Sequence, residues 1–289
     1  MKETKSFNLY PGIDLTFYEY SLNETACCHR PEDNIIEINY CRSGRIGWEV
    51  KDGSTVYLGA GDFGIHSGRV CSGTHLTFPN GEYSGLSICI DLGKSIDSLT
   101  DFLADTPING ELIYNKFCSK QEFSIFPGNE PIKGIFGGFF DIPTELEEAY
   151  YKLKLHELLL YLYRLNPIEA VEAKGFRPEQ IELIKQVHDT LTTNLDKRIT
   201  IEELSKQFLI NPSSMKIIFK AIYGNSIAAH IKEHRMEKAA ELLQGEASVS
   251  EVAKSVGYDS QSKFSFEFKK AYQMLPTEYK KTHKRKGEG

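Results

Sequence analysis

The chain has 289 residues, 40% hydrophobic and 26% charged, with a net charge of −6. That length allows two domains, and that balance is the balance of a globular chain, not a disordered or fibrous one. No apolar run approaches the ~20 residues that span a bilayer, and the polar start Met-Lys-Glu-Thr-Lys-Ser lacks the apolar core of a secretory signal, so the expected location is cytoplasmic, with no membrane partner.

Residues 7–92 read as β structure. Leu15-Thr-Phe17 and Ile36-Glu-Ile38-Asn-Tyr40 alternate with period two, and 46–50, 55–58, 75–78 and 86–90 are short apolar runs bounded by Gly, Asn, Asp or Pro. Turn signals fall at Ser43-Gly44, Asp52-Gly53, Gly61-Asp62 and Asn80-Gly81. Many short strands at even spacing predict a small barrel or jelly roll, a shape that can enclose a ligand. Tyr40, Trp48 and Tyr57 are candidates for lining such a ligand pocket, although alternation alone does not say which face is inner. All six cysteines (Cys27, Cys28, Cys41, Cys71, Cys89 and Cys118) precede residue 119, with no Cys-x-x-Cys. In a reducing compartment they read as buried thiols acting as small apolar residues. Cys27-Cys28-His29 is the stretch closest to a thiol or metal sensor, but no spaced ligand set accompanies it; His66 and His75 read as core or surface histidines. No metal and no cofactor is expected.

From 95 to 118 the pattern turns helical, through Ile96, Leu99, Phe102, Leu103, Leu112, Ile113 and Phe117. A strand is predicted over 122–126 and a loop over 134–138. Residues 145–165 form a strong helix whose leucine stripe is wider than one packed face needs. The pattern breaks at Asn166-Pro167, so 166–177 reads as a linker between a domain at 1–165 and a second at 178–289, which opens on a helix over 178–194. The second domain holds 18 Lys+Arg against 15 Asp+Glu, a net of +3, whereas the remainder carries −9. That asymmetry fits a DNA-contacting half joined to an acidic half.

The second domain contains an internal repeat. Sliding by 49 residues places Met215 on Phe264, Phe219 on Phe268, Lys220 on Lys269 and Tyr223 on Tyr272. Each copy is prefaced by a capping box, Thr200-Ile-Glu-Glu203 and Ser248-Val-Ser-Glu251, opening a short helix. Gly257 suits a helix-ending left-handed residue, Leu209-Ile210-Asn211 serves the same turn without glycine, Asn211 with Pro212 starts the next helix, and Asp259 or Ser260 starts its counterpart. Short helix, tight turn and three-turn helix make a helix-turn-helix, present twice. The apolar stripe of each second helix must face a core. The other faces carry Ser213, Lys216, Ile217 and Lys220, then Gln261, Ser262, Ser265, Phe266 and Lys269. Hydroxyls, an amide and lysines at a helix N-terminus suit base edges and phosphates. Residues 226–244, one amphipathic helix, would hold the two copies as a spacer, roughly 34 Å apart along a duplex.

Arg235-x-x-x-Ala239-x-x-Leu242-Leu243, then Val252-Ala253-x-x-x-Gly257-Tyr258-x-Ser260-x-Ser262-x-Phe264-x-x-x-Phe268-Lys269-Lys270 and Pro276-x-x-Tyr279, resembles the signature of the AraC family of bacterial transcription regulators. Met215-Lys216 and Tyr223-Gly224-x-Ser226-Ile227 further resemble the branch that answers to iron–siderophore complexes. The family often has arginine two residues before the phenylalanine of each recognition helix; Ile217 and Phe266 stand there, which removes an arginine–guanine contact and favours thymine methyls and an A·T-leaning operator. The resemblance extends to a cupin-like effector domain at 29–64, with Glu37, Gly44 and Gly61-Asp62 as landmarks, but Pro31 breaks the His-x-His that a metal cupin needs.

The fold expected is therefore α+β and multidomain: an N-terminal cupin-like β-barrel and a C-terminal all-α domain with two helix-turn-helix motifs. The function expected is a sequence-specific DNA-binding transcription regulator, not an enzyme, controlled by a small-molecule effector and dimerised through the 145–165 helix, with RNA polymerase as a further partner. The rival readings are a helix-turn-helix module that binds protein instead of DNA, and a cupin-type enzyme with an appended helical module.

Overall fold

A computed structural model of the chain describes residues 2–26, 34–94, 101–119, 123–172 and 174–283. Cys27, Cys28, His29, Pro31, Ile96, Leu99 and the basic tail after His283 lie outside the described residues. The chain divides into two compact units, Met1–Pro178 and Glu179–Gly289. No helix among the described residues is long and apolar enough to cross a membrane.

Unit one contains strands β1 (Lys2–Tyr10), β2 (Ile13–Ser21), β3 (Glu24–Ala26), β4 (Ile35–Val50), β5 (Thr55–Gly59), β6 (Phe63–Ser67), β7 (Cys71–Thr77), β8 (Glu82–Asp91), β9 (Phe123–Phe126) and β10 (Val171–Glu172), with helices α1 (Gly110–Phe117), α2 (Glu130–Gly137) and α3 (Glu147–Arg164). The main path of pairing runs β1-β2-β8-β4-β6-β9-β10; β5 and β7 pair with the far half of β4, and β3 pairs with β7. The long strand β4 thus serves two sheet portions. Its first half pairs β8 and β6, and from Arg45 onward it pairs β5. The change of direction falls at Gly44, which has φ +75° and where an added Cβ would overlap the Glu82 carbonyl oxygen, so only glycine fits.

This pairing does not close on itself among the described residues, so the closed barrel expected from strand spacing is corrected to an open sheet in two portions. The reason lies in burial on both faces. Ile36, Ile38 and Tyr40 of β4 join Leu86, Ile88 and Ile90 of β8 in a core capped by Ile113, Phe136 and Leu155 of the three helices. The opposite face packs Tyr18, Tyr20, Cys41, Trp48, Leu58 and Leu76 into a separate core. Helices cover a face that an isolated barrel would leave to solvent.

Two further expectations change. The predicted loop at 134–138 belongs mostly to α2, because the Asn129 carboxamide accepts from the Ile132 N–H and Pro131 sits in the first turn, a strong helix start. Residues within the stretch read as a linker also attach to unit one: β10 pairs β9, and Phe176 exchanges backbone hydrogen bonds with Thr55. The Cys41 and Cys118 thiols are buried, and burial pushes each up to about 12, which suits inert packing groups.

Unit two is helical: α4 (Pro178–Thr193), α5 (Ile201–Gln207), α6 (Pro212–Tyr223), α7 (Ile227–Leu243), α8 (Val249–Ser255), α9 (Gln261–Tyr272) and α10 (Pro276–His283). Ile184 and Val187 of α4, Leu204 of α5 and Met215, Phe219 and Ile222 of α6 are buried. Met236, Ala239 and Leu243 of α7 form a second core with Val252, Phe264 and Phe268.

Candidate nucleic-acid interface

Both helix-turn-helix copies are built by the same local chemistry. The Thr200 hydroxyl accepts from the Glu203 N–H at 3.2 Å, and the Glu203 carboxylate accepts from the Thr200 N–H at 2.7 Å. Ser248 and Glu251 repeat this reciprocal pair at 3.2 and 2.7 Å. The backbone N–H bonds hold both glutamate carboxyls below their ordinary range. Each box fixes where its short helix starts, which sets where the next helix begins.

The turns differ by one residue. Capping boxes correspond at a spacing of 48, whereas the caps of the longer helices, Asn211 and Ser260, correspond at 49. Leu209 ends the first short helix with φ 51° and Gly257 ends the second with φ 78°. Leucine does the same backbone work at a strained angle, with its side chain 92% exposed. Asn211 then accepts from the Ser213 N–H at 2.8 Å, and Ser260 from the Lys263 N–H at 3.4 Å.

These starts orient α6 and α9 so that one stripe of each is buried and the other is presented. Met215, Ile218, Phe219 and Ile222 of α6 are buried, as are Phe264 and Phe268 of α9. Ser213, Lys216, Ile217 and Lys220 are all exposed on α6; Gln261, Ser262, Phe266 and Lys269 are exposed on α9, with Ser265 half-buried. The two sets superimpose under the repeat: Ser213 on Ser262, Lys216 on Ser265, Ile217 on Phe266 and Lys220 on Lys269. Ile217 and Phe266, 54% and 69% exposed, do not pack into the protein. Each face therefore sets an uncovered apolar side chain among hydroxyls and lysine ammonium groups.

The helix α7 links the copies. Lys232 of α7 pairs with Glu267 of α9 at 3.1 Å. One turn on, the Arg235 guanidinium donates to the Lys197 carbonyl at 2.8 Å and lies 6.0 Å over the Tyr258 ring. Gly257 is squeezed against the same group: a Cβ there would lie 2.6 Å from the Leu195 carbonyl oxygen and 2.8 Å from Arg235 Nη2. Arg235 thus ties the loop before the first copy to the turn of the second.

In unit one the three aromatic residues predicted to line a pocket are not brought together. Tyr40 stacks on Phe136 at 4.4 Å on the helix-covered face, Trp48 is buried in the opposite core, and Tyr57 packs toward Phe176 at 6.5 Å. Alternation alone would put Tyr40 and Trp48 on one face; the register irregularity between Cys41 and Ser43, with the bend at Gly44, sends them into different cores. The Trp48 side of the sheet instead gathers polar groups that residue type alone did not single out. His66 is fully buried; its Nδ1 donates to the Ser67 carbonyl at 3.1 Å, and Asn39 donates to its Nε2 at 3.0 Å. Glu37 lies 3.7 Å from His66, and Tyr18 shares a 3.0 Å hydrogen bond with Ser87. The legible signal was the polar half of the alternation in Glu37 and Asn39, opposite Ile36, Ile38 and Tyr40.

A family model described as a helix-turn-helix domain matches residues 204–282. Among curated proteins the chain is similar to the HTH-type transcriptional regulator AlkR of Acinetobacter baylyi, at 29% identity over 29% of this chain and 28% of that protein. It is also similar to the lactose operon transcription activator of Staphylococcus xylosus, at 31% identity over 60% of this chain and 64% of that one. The chain spans less than half the length of the first of these relatives and less than two thirds of the second. Among solved structures, the C-terminal domain of AraT, a response regulator from Geobacillus stearothermophilus, matches at 29% identity over 37% of this chain and 90% of that chain, with a TM-score of 0.36.

Proposed function

From a helix-turn-helix domain of the AraC type over residues 204–282, we propose that the whole chain is a sequence-specific DNA-binding transcription regulator. The observation that carries this reading is the pair of presented faces on α6 and α9, equivalent residue for residue under the repeat and uncovered by the rest of unit two. Lys220 and Lys269 contact phosphates and set the register. Ser213, Lys216, Gln261, Ser262 and Ser265 reach base edges. Ile217 and Phe266 meet thymine methyl groups in place of an arginine–guanine pair, which gives an A·T-leaning operator.

Unit one supplies control. A small-molecule effector is supported by the buried polar groups Glu37, Asn39, His66 and Ser87 between the two sheet portions, since buried polar groups fix the orientation of a ligand. These buried polar groups fit a small polar molecule and do not single out an iron–siderophore complex. Homodimerisation is supported by α3: its inner side is buried through Tyr151, Leu155, Leu158, Leu159 and Leu162, while Leu153, Leu160 and Tyr163 stay exposed on the other. RNA polymerase is the further partner that such a regulator implies. Effector binding acts by favouring one arrangement of the chain over another, which requires different affinities for the two.

The test is selection of binding sites from random duplexes by the full chain, followed by a gel shift on the DNA upstream of its own gene. The reading expects enriched sites with thymine at the Ile217 and Phe266 positions, and relaxed preference there in Phe266→Ala. Failure to enrich any sequence, or a preference unmoved by Phe266→Ala, contradicts it.

A further inference from the structure

Unit two holds a histidine cluster that the DNA contacts do not use. His188 of α4 and His230 and His234 of α7 each direct one ring nitrogen inward, and the three atoms lie within 4.8 Å of one another. His230 Nε2 and His234 Nε2 are 3.0 Å apart. Two imidazole nitrogens bound tetrahedrally at 2.0–2.1 Å to one ion stand about 3.3 Å apart, so that pair is already close to ligand geometry. The spacing explains it: positions i and i+4 on α7 share a face, and α4 packs His188 against that face, with ring centroids 5.1 Å from His230 and 5.6 Å from His234.

Two of the three histidines have a carboxylate beside Nδ1, the arrangement that orients metal-binding imidazoles. His188 Nδ1 lies 3.2 Å from the Asp189 carboxylate, and His234 Nδ1 lies 3.2 Å from the Glu237 carboxylate. A carboxylate on Nδ1 fixes that proton and leaves the other ring nitrogen as a lone pair aimed inward; this is the second layer that orients histidine ligands. His230 is buried, while the His188 and His234 side chains are 19% and 33% exposed, so the cluster is open to solvent on the His188 and His234 side.

We propose that His188, His230 and His234 form a binding site for a divalent transition ion that favours imidazole nitrogen, of the zinc class. The bound ion cross-links α4 to α7. It also braces α6, because His188 stacks on Tyr223 at 4.4 Å and His230 meets Phe219 edge-on at 5.4 Å. The presented face of the first copy therefore rests on a seat that metal stiffens.

The experiment titrates chelator-treated full chain with Co2+ and then displaces it with Zn2+. The expected result is saturable visible d–d bands at one ion per chain, no thiolate-to-metal charge-transfer band, and a rise in Tm of several degrees with excess Zn2+. His234→Gln abolishes the bands. His188→Phe, which keeps the stack on Tyr223 and removes the nitrogen, weakens Co2+ binding at least tenfold. Cys27→Ser with Cys28→Ser leaves the bands unchanged. The proposal is overturned if no saturable band forms, if the bands persist in both histidine variants, or if they disappear with the two cysteines.

Discussion

Gly257→Ala probes the join between the two helix-turn-helix copies. Three terms set its magnitude. A left-handed φ of 78° costs an alanine about 1 kcal/mol. A Cβ 2.6 Å from the Leu195 carbonyl oxygen and 2.8 Å from Arg235 Nη2 must push rigid backbone and a bonded guanidinium aside, and such overpacking costs about 1–3 kcal/mol. Reduced freedom of the unfolded chain returns about 0.4–1 kcal/mol. The net loss is about 1–3.5 kcal/mol, confined to unit two. The assay is urea unfolding followed by two probes. Trp48, the single tryptophan, is buried in the β unit, whereas far-UV circular dichroism is weighted toward the helices. The helical transition moves to lower urea and the Trp48 transition stays in place. Gly53→Ala is the control: it has φ 79° with open space around an added Cβ, so it loses no more than about 1 kcal/mol. A helical transition in Gly257→Ala within 0.5 kcal/mol of the unsubstituted chain would refute the steric argument, and with it the role given to Arg235.

Two further outcomes follow from the same geometry. Leu209→Gly relieves a left-handed leucine that is 92% exposed, so the helical unit gains up to about 1 kcal/mol by urea unfolding, and a loss of stability would contradict the strain assigned to that turn. Burial, then the neighbouring His234 and His188, lowers the His230 pKa from 6.5 to about 4. The unfolded chain therefore binds a proton that the folded chain refuses between those values. Stability contributed by neutral His230 is complete above pH 6.5 and declines as pH falls toward 4, by at most about 3 kcal/mol, whereas a helical transition flat between pH 7.5 and 5 would contradict it.

The helical half was legible because its signals are local. The capping boxes at Thr200 and Ser248, Asn211 with Pro212, and the left-handed Gly257 each act within four residues, and each is seen at the predicted position. The β half was legible only as strands. Its topology depends on pairings such as Ile36 with Ile90 and Ile65 with Ile38, far apart in sequence, and on helices that cover one face. Trp48 and Tyr57 looked equivalent to Tyr40 by residue type, but the bend at Gly44 sends them into different surroundings. The histidine cluster was half legible: His230 and His234 stand four apart on a predicted helix, while the approach of His188 is a tertiary fact.

The central claim is that α6 and α9 present their lysines to the backbone of one duplex. Its most direct test is the salt dependence of DNA binding by the full chain, Lys220→Ala and Lys269→Ala. Each lysine that neutralises one phosphate adds about 0.9 to the slope of log affinity against log salt. The account predicts that each substitution lowers the slope by ~1 and weakens binding about equally on every sequence tried. Slopes unchanged in both variants would contradict it.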